Sequence, residues 1–270
     1  MPELPEVETT VRGLASVLDG RRLTRVETRR ADLRRPFPAD LRQRMTGARV
    51  TGLGRRAKYG LVYTDRDDTM IFHLGMSGRW RIDPEDLGPH DHLIIETEEG
   101  RLLSLADPRR FGSVDLLASG EVEGWPAFAA MGPEPLGPGF TVEALMQALE
   151  GRVAPIKAML LDQRTVAGLG NIYVCEALNM ARIAPTREAG RIAVPRLERL
   201  VGAIREVLAA AIEAGGSSLR DYARPDGELG YFSHQFRVYG REGQACPCGG
   251  TVQRRVDGGR STFHCARCQR

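Results

Sequence analysis

The chain has 270 residues, which is enough for two domains or one large one. Hydrophobic residues make up 42% of it and charged residues 27%, so the chain can bury a core and is not disordered as a whole. No apolar run approaches the roughly 18 residues of a membrane span. The acidic start MPELPEVE lacks the basic region of a signal peptide, so we expect neither a membrane partner nor a secretory signal.

The formal net charge of +3 hides two asymmetries. Residues 151–270 carry 18 Lys and Arg against 11 Asp and Glu, a balance of +7, whereas residues 1–150 carry 20 against 24, a balance of −4. A basic C-terminal part is typical of a module that binds a polyanion. Only Lys58 and Lys157 among the 38 basic residues are lysines, and an ammonium, unlike a guanidinium, can lose its proton and act as acid, base or nucleophile.

Strand signals dominate the first half of the chain. A helix is predicted first, because Val7, Val11, Leu14 and Leu18 step by four, three and four residues along one face. Short strands separated by turn residues are then predicted at Leu23–Thr28, Gly60–Thr64, Met70–His73, His92–Thr97, Arg101–Leu105 and Ser113–Leu117. Their close spacing favours an antiparallel sandwich or a flattened barrel.

Residues 132–139, GPEPLGPG, contain three Gly and three Pro, a composition that predicts a linker. The hydrophobic period is helical after it, with helices predicted behind a Thr141 cap and at Ile156–Asp162, Asn171–Asn179 and Arg196–Ala214. We therefore predict a multidomain α+β protein. Its parts are an N-terminal domain at 1–131, a linker at 132–139, a helical domain at 140–235 and a small Gly- and Cys-rich unit at 236–270.

Four cysteines lie in the last 25 residues, with the spacing C-x-C, sixteen residues, C-x-x-C. They are Cys246, Cys248, Cys265 and Cys268. Two cysteine pairs at this spacing indicate one structural zinc ion, which would supply stability that so short a segment lacks. The first pair is one residue shorter than the usual C-x-x-C, and the neighbouring His264 could substitute as a ligand. Disulfides or metal-free thiols are the alternative, while Cys175 is expected in a helix core.

The residues at the N-terminus have a catalytic interpretation and a structural one. Removal of Met1 would make Pro2 the start of the chain, with a secondary amine whose pKa lies near ~8, so that part of it is neutral and nucleophilic. Glu3 could then protonate a leaving group. Alternatively, Pro2, Glu3 and the neighbouring acids are ordinary residues of a helix start, where negative charge suits the helix dipole.

The motifs together resemble the bacterial formamidopyrimidine-DNA glycosylase family. The resemblance covers the whole chain and rests on motifs that follow in the family order. These are PELPEVE at 2–8, RRAKYG at 55–60, HLGMSG at 73–78, DPRRFG at 107–112, GLGNIYVCEAL at 168–178, GGSSLRDY at 215–222 and the cysteine-rich end. The resemblance implies an N-terminal β-sandwich with a leading helix, a helix–two-turn–helix domain and a zinc finger.

The same resemblance implies the roles of individual residues. Pro2 matches the Schiff-base nucleophile, Glu3 its proton donor, Lys58 the acid/base of β-elimination and Arg260 the position of the δ-elimination donor. Contacts to the DNA backbone are implied for His90, Arg152, Lys157 and Asn171. Met76, Arg109 and Phe111 match a wedge that fills the duplex when the damaged base leaves the stack, with Arg109 donating to the unpaired cytosine.

A lesion-recognition loop is implied at residues 215–228, with Ser217, Ser218, Arg220 and Tyr222 as candidate contacts to the extruded base. The implied activity is excision of oxidised purines from duplex DNA followed by β,δ-elimination, in a monomeric cytoplasmic enzyme that needs no cofactor besides structural zinc. Two alternatives stay open from the sequence. One is an endonuclease VIII-like glycosylase for oxidised pyrimidines, and the other is a non-catalytic zinc-ribbon protein that binds DNA.

Overall fold

The computed structural model describes residues 1–217, 225 and 230–270. The chain forms two compact units, one of Met1–Ala129 with Ala214–Tyr231 and one of Ala130–Glu213 with Phe232–Arg270. The first unit is built mainly from antiparallel strands and the second mainly from helices, which confirms the predicted α+β class. None of the described helices has both the length and the apolar composition that crossing a membrane requires.

The first unit contains three helices and eight strands among its described residues. In chain order these are α1 Leu4–Leu18, β1 Leu23–Thr28, α2 Leu41–Met45, β2 Val50–Arg56, β3 Tyr59–Thr64, β4 Asp68–His73, β5 Arg79–Ile82, β6 Asp91–Thr97, β7 Leu102–Ala106, β8 Ser113–Ala118 and α3 Pro126–Ala129. One four-stranded sheet has the order β1-β6-β7-β5 and the other β2-β3-β4-β8, with all neighbours antiparallel.

The apolar faces of both sheets and of α1 share one core. Phe72 on β4 and Trp80 on β5 make an edge-to-face ring contact across it, with ring centroids 5.6 Å apart. Leu14 of α1 is fully buried in the same cluster, since the helix presents its predicted apolar face to the strands. Two sheets packed on one core form the predicted sandwich, with the leading helix against it.

Two strands and two short helices of this unit were not predicted. The segment VTGLGRR of β2 contains two glycines, which weaken a strand signal, yet a Cβ at Gly54 would lie 2.9 Å from the Tyr63 hydroxyl of the paired strand. The four-residue RWRI of β5 is too short and too basic to stand out. Cross-strand packing, which a local pattern does not contain, decides both strands.

The second unit holds four helices and one hairpin among its described residues: α4 Val142–Leu149, α5 Ile156–Leu161, α6 Asn171–Met180, α7 Val194–Glu213, β9 Gln253–Asp257 and β10 Arg260–His264. Thr141 caps α4 as predicted, because its Oγ1 accepts the N–H of Ala144 at 3.1 Å. Helix α6 is buried along most of its length and packs against α5, α7 and β10.

In each unit, a late segment of the chain is bonded to an earlier element. Ala214–Tyr231 belongs to the first unit, where Ser217 is hydrogen-bonded to Glu6 of α1. The cysteine-rich end belongs to the same unit as the helices, because the buried Glu176 of α6 accepts three successive backbone N–H groups, those of Arg237, Val238 and Tyr239. Residues 132–139 form neither helix nor strand, as their composition predicts.

Candidate functional site

The chain start leads directly into α1. Pro2 is buried, and Glu3 is the buried N-cap residue of the helix. Glu6 reaches back to form a capping box, with its Oε2 accepting the Glu3 N–H at 2.9 Å. Hydrogen bonds of its backbone therefore fix Glu3, the candidate proton donor, at the start of the helix, directly after the candidate nucleophile Pro2, while Met1 is exposed.

Glu6 also holds the residue that begins the predicted lesion-recognition contacts. Its Oε1 accepts both the backbone N–H and the hydroxyl of Ser217, each at 2.8 Å. One carboxylate, 2% exposed, therefore ties Ser217 to the backbone beside Pro2. The other predicted contacts of this group, Ser218, Arg220 and Tyr222, lie outside the described residues.

Glu6→Gln should lower the free energy of unfolding by about 2 kcal/mol, because an amide presents one acceptor oxygen where the carboxylate presents two, leaving a buried N–H poorly matched. Urea unfolding followed by circular dichroism measures this. Glu27→Gln is the matched control, since Glu27 pairs with the exposed Arg25 and its substitution should change stability by less than about 0.5 kcal/mol. Equal effects of the two substitutions would refute the anchoring role of Glu6.

Lys58 lies in the tight turn between β2 and β3 and is 8% exposed. Its neighbour Ala57 has a φ of 52°, in the left-handed region that non-glycine residues seldom adopt. Arg55 holds this turn, donating from Nη1 to the Ala57 carbonyl at 2.9 Å and from Nε to Glu8 of α1 at 3.0 Å. The turn that carries Lys58 is thus fastened to the helix that begins beside Pro2.

His73, at the end of β4, shares the environment of Lys58. Its ring contacts the ring of Tyr59, the residue after Lys58, in a tilted arrangement with ring centroids 4.7 Å apart. Its Nδ1 accepts the Gly75 N–H at 3.0 Å. Burial, which is the largest cause, and the positive charges of Lys58, Arg34 and Arg35 together lower the pKa of His73 to about 4. His73 is therefore neutral at physiological pH, with its proton on Nε2.

Stability should fall as the pH drops from 6.5 to 4. In this range an unfolded chain protonates His73, whose ordinary pKa is 6.5, while the folded chain does not, so protons favour unfolding. The loss should be about 2–3 kcal/mol across the range, since one pKa unit corresponds to about 1.4 kcal/mol. Urea unfolding at several pH values tests this against His73→Asn, which keeps an acceptor for Gly75 and should flatten the profile. The exposed control His234→Asn should not flatten it, and a wild-type slope in His73→Asn would contradict the assignment.

The three predicted wedge residues come from two neighbouring loops. Met76 follows Gly75, which has a φ of 61° and lies so close to the other loop that a Cβ there would be 2.3 Å from the backbone of Phe111. Phe111 is 46% exposed, which confirms the expected exposure of its ring in the free protein. The Arg109 guanidinium lies 4.8 Å from the centre of that ring, a cation–π contact.

A buried carboxylate shapes the loop that carries Arg109 and Phe111. Asp107, which is 0% exposed, accepts the Gly112 N–H at 2.8 Å and the Ser77 hydroxyl at 2.7 Å. The oxygen of Ser77 in turn accepts the Arg109 N–H at 3.2 Å. Asp107 therefore closes the loop from 107 to 112 and joins it to the loop that carries Met76.

The second unit brings three of the predicted residues together. Lys157 of α5 and Asn171, the first residue of α6, both donate to the carbonyl of Ser261, at 3.3 Å and 2.8 Å. The neighbouring Arg260 is exposed at the start of β10 and lines, with Lys157, a cavity of about 580 Å³. Arg152 is exposed in this unit, and His90 is exposed in the first unit.

The four C-terminal cysteines form one cluster in which all sulfur atoms lie within 4.8 Å of one another. The Sγ atoms of Cys246 and Cys268 are 3.9 Å apart and those of Cys248 and Cys265 are 3.6 Å apart. Four thiolates around one tetrahedral ion at ~2.3 Å would be separated by about 3.8 Å, so the donor set fits such an ion. The shortened C-x-C pair still brings both sulfurs to the cluster, and His264 is not part of it.

Two protein-family models match this chain and define the class of protein to which it belongs. The model of the formamidopyrimidine-DNA glycosylase N-terminal domain matches residues 1–114, and that of the formamidopyrimidine-DNA glycosylase H2TH domain matches residues 131–223. The chain is a DNA glycosylase by domain composition. It belongs to the formamidopyrimidine-DNA glycosylase family, as the motifs indicated.

Relatives and solved structures agree over full length. Formamidopyrimidine-DNA glycosylases of Rhizorhabdus wittichii and Novosphingobium aromaticivorans are 76% and 69% identical to this chain, covering all of both chains in each pair. The crystal structure of Thermus thermophilus MutM (Fpg) matches with a TM-score of 0.88 at 40% identity, over 99% of this chain and 98% of that one. A Lactococcus lactis Fpg complex with N7-benzyl-Fapy-dG containing DNA matches with a TM-score of 0.92 at 34% identity over both full chains. These matches do not favour the endonuclease VIII-like or the non-catalytic alternative.

Sequence reasoning missed the residues that hold the candidate site residues in place. Glu6, Arg55 and Asp107 all lie inside the motifs given above, but each has a hydrogen-bond partner that is distant in sequence. An acidic residue inside an otherwise basic loop such as DPRRFG is the one available signal, because a buried carboxylate requires several donors. That signal does not identify Ser77 as a donor to Asp107.

Proposed function

We propose that this protein removes oxidised purines, 8-oxoguanine and formamidopyrimidines, from duplex DNA and then cleaves the strand at the resulting abasic site. The observation that carries the proposal is the full-length identity of 76% to a formamidopyrimidine-DNA glycosylase, together with the burial of Pro2 and Glu3 at the start of α1. The Fapy-dG and abasic-site duplexes bound by the Lactococcus lactis protein are the substrate and intermediate classes that this activity requires.

Pro2 is the proposed nucleophile. Once Met1 is removed, its secondary amine attacks C1′ of the damaged nucleotide, the glycosidic bond breaks, and the base leaves with a proton. The C1′–O4′ bond of the sugar ring then breaks, O4′ takes up a proton, and C1′ is left as part of an iminium ion. The ion keeps its positive charge because the proline nitrogen gave up its one N–H proton when the base left and has none remaining to lose. That charge draws electrons from C2′ and so prepares elimination of the 3′ phosphate.

Glu3 and Lys58 are proposed to transfer protons, whereas Arg260 is proposed to bind charge. Glu3, next to the nucleophile, is the proposed proton donor to the opening sugar. Lys58 is the proposed acid/base of β-elimination, and its turn is anchored through Arg55 to the helix that follows Pro2. Arg260 is proposed to hold phosphate charge during δ-elimination, because a guanidinium is a weak acid but a strong partner for phosphate.

DNA contacts are proposed in both units. Met76 and Phe111 fill the space left by the extruded nucleotide, and Arg109 hydrogen-bonds the cytosine that has lost its partner. His90, Arg152, Lys157 and Asn171 contact backbone phosphates. The extruded base itself is proposed to be recognised by contacts with Ser217, Ser218, Arg220 and Tyr222.

The proposed metal is one structural Zn²⁺ held by Cys246, Cys248, Cys265 and Cys268. Four thiolates complete a tetrahedral shell, so the ion would keep no position for substrate and would act through the fold alone. By fixing the hairpin of β9 and β10, the ion would keep Arg260 and the Ser261 carbonyl in position.

Borohydride trapping on an 8-oxoguanine:cytosine duplex tests the nucleophile. Wild-type protein lacking Met1 should form a covalent adduct, and Pro2→Gly, whose imine can lose its proton, should form roughly a hundredfold less. The parallel test is strand cleavage of duplexes carrying 8-oxoguanine, formamidopyrimidine or an oxidised pyrimidine, with products phosphorylated on both sides of the gap. No wild-type adduct, an undiminished Pro2→Gly adduct, or a preference for the pyrimidine would overturn the proposal.

A further inference from the structure

A continuous chain of hydrogen bonds connects Lys157 to Asp257, an acidic residue beside the turn of the β9–β10 hairpin. The Lys157 ammonium donates to Thr262 Oγ1 at 2.6 Å, and the Thr262 hydroxyl donates to Asp257 Oδ2 at 2.6 Å. The other oxygen of Asp257 accepts from Arg255 Nε at 2.8 Å. Lys157 lies on α5 and the other three on β9 and β10, so the chain joins the hairpin to the helix.

The direction of each hydrogen bond follows from the chemistry of the partners. An ammonium has only donors, so Thr262 must accept from Lys157, and its single hydroxyl proton is left for Asp257. A hydroxyl that donates to a carboxylate is a stronger acceptor, because the two bonds polarise each other. The negative charge of Asp257 therefore reaches the ammonium through a side chain that is fully buried.

The same hairpin positions Lys157 from a second side. The Ser261 carbonyl accepts from Lys157 and from Asn171, so two predicted phosphate contacts share one acceptor. Described residues use two of the three N–H directions of the ammonium. The remaining direction is suited to a phosphate oxygen, and Lys157 and Asp257 both line the cavity beside Arg260.

Lys157 needs this support because its surroundings oppose its charge. The residue is 3% exposed, and burial lowers the pKa of its ammonium group. Cys175 and, to a smaller extent, Asp257 raise the pKa, while Arg260 and Arg255 lower it further. Among these groups Asp257 is the carboxylate, and it reaches Lys157 through Thr262.

We propose that Asp257, acting through Thr262, is a positioning residue that keeps the Lys157 ammonium charged and aimed at a DNA phosphate. The inference rests on the proposed function, because it assumes that Lys157 contacts DNA. The hairpin of β9 and β10 would then have a second role besides presenting Arg260. It would set the direction and the protonation state of Lys157, which lies on α5.

A double-mutant cycle measures this coupling. The probe is a duplex with a tetrahydrofuran abasic-site analogue, to which the affinity of the full-length, zinc-loaded protein is measured as a function of pH. Asp257→Asn should weaken binding about fivefold and Thr262→Val about tenfold, while Thr262→Ser, which keeps the hydroxyl, should stay within about twofold of wild type. In a Lys157→Met background, Asp257→Asn and Thr262→Val should each change affinity by less than about twofold.

The pH profile separates positioning from folding. With Asp257→Asn, affinity should be lost at lower pH than in wild type, because the ammonium gives up its proton more easily. Asp162→Asn is the matched control, since Asp162 lines the same cavity but is bonded to Arg164, and it should leave both affinity and profile unchanged.

The outcomes distinguish this inference from the proposed function. If wild type cleaves 8-oxoguanine duplexes but Asp257→Asn weakens binding equally with and without Lys157, the inference is wrong and the proposed function stands. An unchanged pH profile in Asp257→Asn has the same meaning. Unchanged binding in Lys157→Met would refute the inference and also the proposed phosphate contact of Lys157, while leaving the proposed reaction standing. A wild-type protein that neither binds the analogue nor cleaves any lesion would overturn both.

Discussion

Cys265→Ser should remove the bound metal and unfold the hairpin of β9 and β10 while leaving the helices of its unit folded. Cys265 is fully buried, and the small apolar cluster beneath the hairpin consists of Cys175, Val238, Cys246, Val252 and Cys265. Because two of its five members are also proposed ligands, little apolar burial would hold this segment once the ion is lost. Structural zinc contributes about 10 kcal/mol or more to isolated zinc-finger peptides, so the effect should be large.

Three measurements together check this prediction. Metal analysis should give about one zinc per wild-type chain and none in Cys265→Ser. Affinity for a lesion duplex should fall steeply, because the hairpin presents Arg260 and the carbonyl that positions Lys157 and Asn171. Far-ultraviolet circular dichroism should retain the helical signal.

Cys175→Ala supplies the matched cysteine control. Cys175 lies on α6 in the same cluster but outside the group of four, so its loss should leave the zinc content at one per chain. A Cys265→Ser protein with full zinc and an unchanged melting temperature would exclude a four-cysteine site.

Asp107→Ala should be among the most destabilising single substitutions in the first unit, and it should also abolish efficient excision. The Asp107 carboxylate is fully buried and accepts from Gly112 N–H and the Ser77 hydroxyl. Alanine would leave both donors unpaired, at a cost of about 3 kcal/mol. Excision should fall as well, because the loop that carries Arg109 and Phe111 would lose its closure.

Phe111→Ala separates the effect on stability from the effect on excision. Its ring is exposed, so the substitution should change the free energy of unfolding by less than about 0.5 kcal/mol. Excision of 8-oxoguanine should nevertheless weaken, because the wedge is missing. Urea unfolding and single-turnover excision measure both variants. A strongly destabilised Phe111→Ala would mean that the ring belongs to the core, and a fully stable Asp107→Ala would refute the loop closure.

The amino-acid sequence alone determined the class of the fold and the family. Strand and helix periods are local properties, so the segment Leu23–Thr28 and the Thr141-capped helix could be located from their own residues. The motifs were specific enough to indicate the candidate nucleophile and the four cysteines. The charge asymmetry indicated a basic C-terminal part, and the two lysines, Lys58 and Lys157, lie at positions to which the family resemblance assigns a role.

Only the tertiary structure decided what holds those residues in place. Glu6 meets Ser217 across 211 positions of the chain, and Lys157 meets Thr262 across 105, separations that no local pattern encodes. Buried carboxylates such as Asp107 look like ordinary surface acids in a sequence, because burial and donor partners arise only when distant segments pack. The same packing brings the shortened cysteine pair into one four-sulfur cluster, since geometry is set by the fold around the pair and not by its spacing.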